Sequence, residues 1–403
     1  MIIPNSMKSA LVIFATSTLM ACAEPADLNK LVAANTVFAF DLMNRVTQAQ
    51  PDANVFISPY SVSSVLQMTE NGAAGDTRTE MQRALKTTGL SAASLNAAFK
   101  DLDRQFTGRS DVILNLADGL WFQQGFHLKP AFADTNRKYF RAKLAGVDFG
   151  KPEAAQTIND WADKQTKGKI KEVVHFPFPS LTRLILADAI YFKGQWVKPF
   201  KKNLTQTRDF HLANGESKQT PMMSQEGQFE YQENPKFQAV RLPYKGGLRM
   251  ELILPATDSK LQTLLTDIAG KETWAGNIQN GFSRREGTVI LPKFKMEYQV
   301  QLNEPLEAMG MKRAFARDAD FSGMADEPLF ISQVKQNSYV DVNEEGTEAA
   351  AVTTVTMENA ALELPPVDLF TMILDRPFFF VISDASTGSI LFMGVVNDPV
   401  PGA

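Results

Sequence analysis

Residues 344–366 read EEGTEAAAVTTVTMENAALELPP, and few backbone conformations suit such a run. From Thr347 one parity reads Thr347, Ala349, Ala351, Thr353, Val355 and Met357, all small or apolar. The other reads Glu348, Ala350, Val352, Thr354, Thr356 and Glu358, and carries both charges. Successive side chains of a strand point to opposite faces, so the first set suits a packed interior and the second a wetted surface. No proline interrupts residues 346–364; a single one would remove a ladder hydrogen bond from a central strand. Gly346 permits a backbone reversal at the start, and VTTVT favours strand. The Glu-Ala-Ala-Ala run favours helix instead. A solvated helix is the alternative, and a transient one is compatible with a latent strand.

The rest of the chain can supply the sheet such a segment would join. It has 403 residues, 44% hydrophobic and 21% charged, a composition that builds a large folded core. The formal net charge of −4 and the absence of a long basic run argue against a nucleic-acid partner. Cys22 is the one cysteine, so no internal disulfide staples the fold. It follows a lysine and a short apolar run, MKSALVIFATSTLMAC from Met7, a secretory signal too short to span a bilayer. Residues 19–22, LMAC, resemble the lipobox of bacterial lipoproteins, in which the cysteine is lipidated and becomes the mature N-terminus. That resemblance implies a lipoprotein signal over 1–22, a tether over 23–30 and a membrane surface as partner. Ala23 stands where an aspartate would favour the inner membrane, so the outer membrane is the implied address. A plain secretion signal with an incidental Cys22 is the alternative.

Along the chain, helices come early and strands late. Residues 31–48 carry apolar side chains at helical spacing. Residues 54–85 read as a short strand and two helices, with Pro59 in a first turn and the second helix restarting at TRTEMQRAL under a threonine cap. Residues 156–174 form an amphipathic helix stopped at Gly168. LTRLILADAIYFKGQW, residues 181–196, is a nearly continuous apolar run, hence a strand buried on both faces. FQAVRLPYKGGLRMELILP turns at Gly246–Gly247, REGTVILPKFKMEYQV alternates or runs apolar as strands do, and the last hairpin turns near Thr387–Gly388. The expected class is α+β in one large domain, residues 31–403.

Several segments together resemble the serpin family: NVFISPYSVSSVLQM, NGAAGDT, INDWADKQTKGKI, ADAIYFKGQW, LPYKGGLRMELILP, FSGM, VDVNEEGTEAA and DRPFFFVISDASTGSILFMG. They share the family's order and span nearly all of residues 31–399. The resemblance implies three β-sheets, about nine surrounding helices and an exposed reactive-centre loop at about 344–370. It implies a suicide-substrate inhibitor of serine, or also cysteine, endopeptidases. The protease cuts the loop and is trapped as an acyl-enzyme in a covalent complex, while the loop inserts into the central sheet. It implies a monomer in the cell envelope, lipid-anchored or secreted, with no cofactor. A non-inhibitory, binding or chaperone-like serpin is the second reading.

By the same resemblance, Glu344, Glu345, Gly346, Thr347, Glu348, Ala349, Ala350 and Ala351 form the hinge, with Thr347 the first side chain to be buried. A charged residue there would stall insertion. Family spacing from the hinge sets the scissile bond at Ala360–Ala361; counting back from DRPF sets it near Pro366. Cuts after Met357, Asn359 or Leu362 remain open. An alanine before the cut suits an elastase-like or subtilisin-like protease. Ser58 and Ser61 match the serines beneath the sheet's opening point. Asp188 and Gln336 stand where the family usually has an asparagine and a histidine, and Trp196 matches its tryptophan below the loop's entry. The rival class, an enzyme, finds little support: His127, His175 and His211 sit in no catalytic motif, and no thiol remains outside the signal.

Overall fold

Strand β4, Leu184–Gln195, is the axis of the molecule, buried along almost its whole length. Its side chains alternate between two apolar layers. Leu184, Leu186, Ile190 and Phe192 enter the main core. Ile185, Ala187, Ala189 and Tyr191 enter a second cluster with Trp121, Ile158 and Ala162. A strand covered on both faces must read apolar at both parities, which is what residues 184–192 do. Asp188 breaks the run on the main-core face and is 2% exposed. The computed structural model describes residues 25–109, 111–268, 278, 280–347 and 369–402.

Around β4 lies a six-stranded sheet. β2 (Val112–Gln123) pairs with β4 antiparallel, and β3 (Lys143–Val147) lies outside β2. On the other side β11 (Gln333–Asn343) runs parallel to β4, with β10 (Phe294–Gln301) outside it. A two-residue strand, β12 (Gly346–Thr347), enters between β11 and β4 at one end.

The second sheet has nine strands. β1 (Val55–Ile57), β15 (Ile390–Val396), β14 (Phe378–Asp384), β8 (Leu248–Pro255), β7 (Phe237–Pro243), β6 (Ser217–Asn234), β9 (Ser283–Pro292) and β13 (Phe370–Ile373) follow in that order, and β5 (Gln206–His211) pairs with β6. The three expected sheets are thus two hydrogen-bonded ones. The 18-residue β6 pairs in turn with β5, β9 and β7, fusing two layers into one ladder. The β7–β8 turn falls at Gly246–Gly247, both at φ 79, a conformation glycine adopts at no steric cost.

Eight α-helices lie among the described residues: α1 (Pro25–Ala49), α2 (Pro59–Glu70), α3 (Gly75–Ala84), α4 (Ala92–Thr107), α5 (Pro130–Tyr139), α6 (Pro152–Gln165), α7 (Leu261–Ile268) and α8 (Asn303–Ala308). α2 is buried at every position and lies beneath β4 on the main-core side. α6 covers the opposite face of β2 and β4.

Two local expectations need correction. α1 begins at Pro25, so residues 25–30 of the expected tether are helical, and Leu28 packs against the core. Thr77 does not cap α3. That helix starts at Gly75 without a side-chain cap, and the Thr77 hydroxyl accepts the Asp320 N–H instead. Residues 285–300 are two strands, β9 and β10, in different sheets, parted at Lys293, whose N–H turns to Pro221 O.

Candidate functional site: the seam between β4 and β11

β4 and β11 pair directly from Ile185 and Gln333 to Tyr191 and Tyr339. Beyond that point they part, and β12 fills the gap, antiparallel to both. Thr347 faces Val342 and Gly194; Gly346 faces Asn343 and Gln195. Only glycine fits at 346. Its φ is 148, and a Cβ there would stand 2.1 Å from Gly194 O. The reversal after β11 is therefore tight enough to return Thr347 into the seam between the two strands.

Each residue of this reversal is held. The Glu344 carboxylate accepts the Thr205 hydroxyl at 2.8 Å and pairs with Lys293 at 3.1 Å. Burial alone would raise its pKa, but bonds from the backbone, Thr205 and Lys293 outweigh that and hold it below the ordinary value. Glu345 pairs with Lys202 at 2.8 Å. Phe200 N–H donates to Glu344 O and Trp196 N–H to Glu345 O. Thr347 is fully buried and its hydroxyl lies 2.7 Å from that of Tyr244. Trp196 stacks on Tyr244 with ring centroids 4.2 Å apart, and its indole N–H donates to Asn343 O at 3.0 Å.

Six residues down β4, about 20 Å at strand rise, a polar cluster bridges the same seam. Gln336 donates to Asp188 Oδ2 at 2.6 Å and to Ser58 O at 3.0 Å, and accepts the Ser58 N–H at 2.8 Å. Ser58 caps α2, its side chain accepting the Ser61 N–H. The Ser61 hydroxyl lies 2.7 Å from Asp188 Oδ1 and 2.8 Å from Asp118 Oδ1, and Ser64 donates to Asp118 Oδ2 at 2.8 Å. Asp118 and Asp188 are direct cross-strand partners. Burial, then the charge of Asp118, raises Asp188 well above the carboxylate range. Burial pushes Asp118 up to about 6 against the bonds from Ser64 and Ser61.

The residues singled out from the sequence fall into these two groups. Ser58, Ser61, Asp188 and Gln336 meet in the lower cluster. Glu344, Glu345, Gly346, Thr347 and Trp196 meet in the upper one, with Thr347 already seated in the sheet. Glu348, Ala349, Ala350, Ala351, Ala360, Ala361 and Cys22 lie outside the described residues. Sequence reasoning missed Asp118, Ser64, Tyr244, Thr205 and Lys293. Asp118 carried a signal, as the one charge in the apolar run LNLADGLWF. The others become recognisable only through strand register.

The comparisons bear on the whole chain. A family model described as Serpin (serine protease inhibitor) matches residues 33–399. Leukocyte elastase inhibitor of Bos taurus is 38% identical over 389 residues, covering 92% of this chain and 100% of that protein. Among solved structures, the thermophilic serpin Tengpin in its native state superposes with a TM-score of 0.83 at 28% identity, covering 94% of this chain and 95% of that one. Thyroxine-binding globulin in complex with thyroxine gives 0.82 at 26%, covering 92% and 100%. Among the described residues no helix is long and apolar enough to cross a membrane.

Proposed function

Because this chain belongs to the serpin family, we propose that it is a suicide-substrate inhibitor of serine endopeptidases, working by insertion of residues 348–358 between β4 and β11. The observation that carries this reading is β12. Two residues of the segment already pair with both neighbours, in a register the following residues can continue. In that register Glu348 would face Lys193 and Asp341, Ala349 would face Phe192 and Val340, and Thr353 would face Asp188 and Gln336. The small or apolar parity then enters the main core and the charged parity the opposite face.

The chemistry is the protease's own. Its serine oxygen attacks the carbonyl carbon of Ala360, the peptide bond to Ala361 breaks, and the new amine leaves with a proton. An ester joins protease to Ala360. Water would normally hydrolyse it. Here the freed segment adds a central strand and moves the ester away from the end of the sheet where the protease docked. Cuts after Met357, Asn359 or Leu362 give the same product class with a shorter or longer inserted strand. Likeness to leukocyte elastase inhibitor and the alanine at 360 support a protease with a small S1 pocket.

A second reading, a serpin that binds a ligand without inhibiting, is favoured by the likeness to thyroxine-binding globulin. One experiment separates the two. The chain is incubated with elastase-like, subtilisin-like and trypsin-like proteases and run on denaturing gels. A covalent band of summed mass supports inhibition. Cleavage with no such band for any protease would move the chain to the second reading.

A further inference from the structure

We propose that Asp118 and Asp188 form a site holding one proton in the resting fold, and that loss of this proton weakens the latch between β4 and β11. The Ser61 hydroxyl lies 2.8 Å from Asp118 Oδ1 and 2.7 Å from Asp188 Oδ1. A hydroxyl has one proton and can donate to only one of them. The other contact needs a proton from the carboxyl side. Asp188 is the more buried partner, on the core face of β4. A proton on its Oδ1 is donated to Ser61, and Ser61 donates to Asp118. Every contact in the cluster then has a donor and an acceptor.

The surroundings support one proton, not two charges. α2 presents the hydroxyls of Ser58, Tyr60, Ser61 and Ser64, and β11 presents the Gln336 amide. α4 presents Asp103, whose charge also acts on Asp118; it pairs with Arg141 at 3.1 Å. Among the described residues neither Asp118 nor Asp188 has an ion-pair partner. Like charges directly opposite in a ladder repel, and a buried unpaired carboxylate is costly. A cavity of about 630 Å³ between α4, β2 and α6 is lined by Asp118, together with Lys143, Asp160 and Lys164. It gives the proton a route to solvent.

Ionisation breaks the Asp188 O–H bond heterolytically; the electron pair stays on Oδ1 and the proton goes to water. Two carboxylates then face each other with one Ser61 proton between them. Opening the seam relieves this, because the gap lets water reach Asp188. Opening also separates Gln336 from Asp188, the place where Thr353 would arrive. The link to insertion rests on the inhibitory reading above; the proton itself does not.

The test uses the full chain and two variants. Asp188→Asn reproduces the protonated form, its amide N–H replacing the acid O–H toward Ser61. Asp118→Asn removes the opposing charge should the first variant fold poorly. Infrared spectra should show the carbonyl band of a protonated carboxyl persisting above the ordinary carboxylate range, fading as pH rises further, and absent there in Asp188→Asn. The unfolding rate of the wild type should rise with pH as that band fades, by up to about tenfold per unit for one proton; the rise should be lost in Asp188→Asn and should move to lower pH, without vanishing, in Asp118→Asn, where burial still acts on Asp188. Absence of the infrared band above the ordinary carboxylate range, or the same pH profile of the unfolding rate in wild type and a folded variant, overturns the proposal. If the band and slopes behave as expected and no protease forms a covalent complex, the proton site stands and the inhibitory reading falls.

Discussion

The Thr347 and Tyr244 hydroxyls lie 2.7 Å apart in a fully buried contact, so the first side chain of the insertable segment is already bonded inside the molecule. Tyr244 is fixed in turn by the indole of Trp196 stacked on its ring. Removing the phenol oxygen leaves Thr347 with a buried, unpaired hydroxyl. Tyr244→Phe should cost about 1–2 kcal/mol and lower Tm by a few degrees. Scanning calorimetry checks this; an unchanged Tm would mean that β12 is held by its backbone ladder alone.

Because Thr347 is already seated, the next residue to face inward on the proposed insertion would be Ala349, which the continued register would set opposite Phe192 and Val340. Ala349→Arg should leave the resting fold intact and stall insertion at its first new step. Cleavage would continue while trapping fails, so the stoichiometry of inhibition should rise several-fold. Thr347→Arg should differ by also lowering the stability of the uncut chain. Equal behaviour of the two variants would mean that β12 leaves the sheet before insertion begins.

Glu344 ties the reversal to pH. Its folded pKa lies below 4.5, so its bonds to Lys293 and Thr205 stabilise the fold above 4.5 and are lost as pH falls through the folded value. The Asp118–Asp188 pair acts in the opposite sense, losing stability as pH rises. Glu344→Gln at neutral pH should mimic acid, at about 1.5–3 kcal/mol for bonds to a charged group. Amide protection at Gly346 and Thr347, taken relative to the intrinsic exchange rate at each pH, should fall both in the variant and in wild type at low pH. Protection that stays constant below the pKa of Glu344 would assign the hold to Glu345–Lys202.

Cutting the segment should raise stability, because a new central strand adds ladder hydrogen bonds and buries Ala349, Ala351, Thr353, Val355 and Met357. About 1 kcal/mol moves a large domain by roughly 2–4 °C, so the sum should amount to tens of degrees. Mass spectrometry of the product made by an elastase-like protease should show Ala360 as the new C-terminus. Ala360→Arg should shift the target toward trypsin-like enzymes. A cut chain that melts no higher than the intact one would favour the binding reading.

The anchor is tested apart from the fold. Full-length chain expressed in a bacterium with radioactive palmitate should take up label and enter the detergent phase. Cys22→Ala should do neither. Label in both forms would remove Cys22 from the argument.

Much of this architecture was legible wherever burial alone decides the residue type. The apolar run at 184–192, broken only by Asp188, reads as a strand covered on both faces, and the paired glycines at 246–247 read as a tight turn. Signals failed where a local motif was overruled from a distance. Thr77 read as a cap until Asp320 N–H claimed its hydroxyl. Pro25 with Asp27 behind it was a helix start, masked by the apparent tether. Asp188 and Gln336 were recognisable as a pair from the resemblance. That Asp188 faces Asp118 depends on which residue of β2 lies opposite which residue of β4. No single stretch of chain carries that alignment.

The strands after the cut have a consequence for what a cleaved molecule is. Residues 361–403 include β13, β14 and β15, which pair with β9, β8 and β1 inside the nine-stranded sheet, and β14 and β15 are buried at every position. Hydrolysis at the proposed bond would therefore yield a nicked, two-chain particle rather than a protein and a released peptide. Size exclusion would register no loss, while a denaturing gel would show two bands. The spent molecule would leave as one body, carrying its own C-terminal fragment as an interior part.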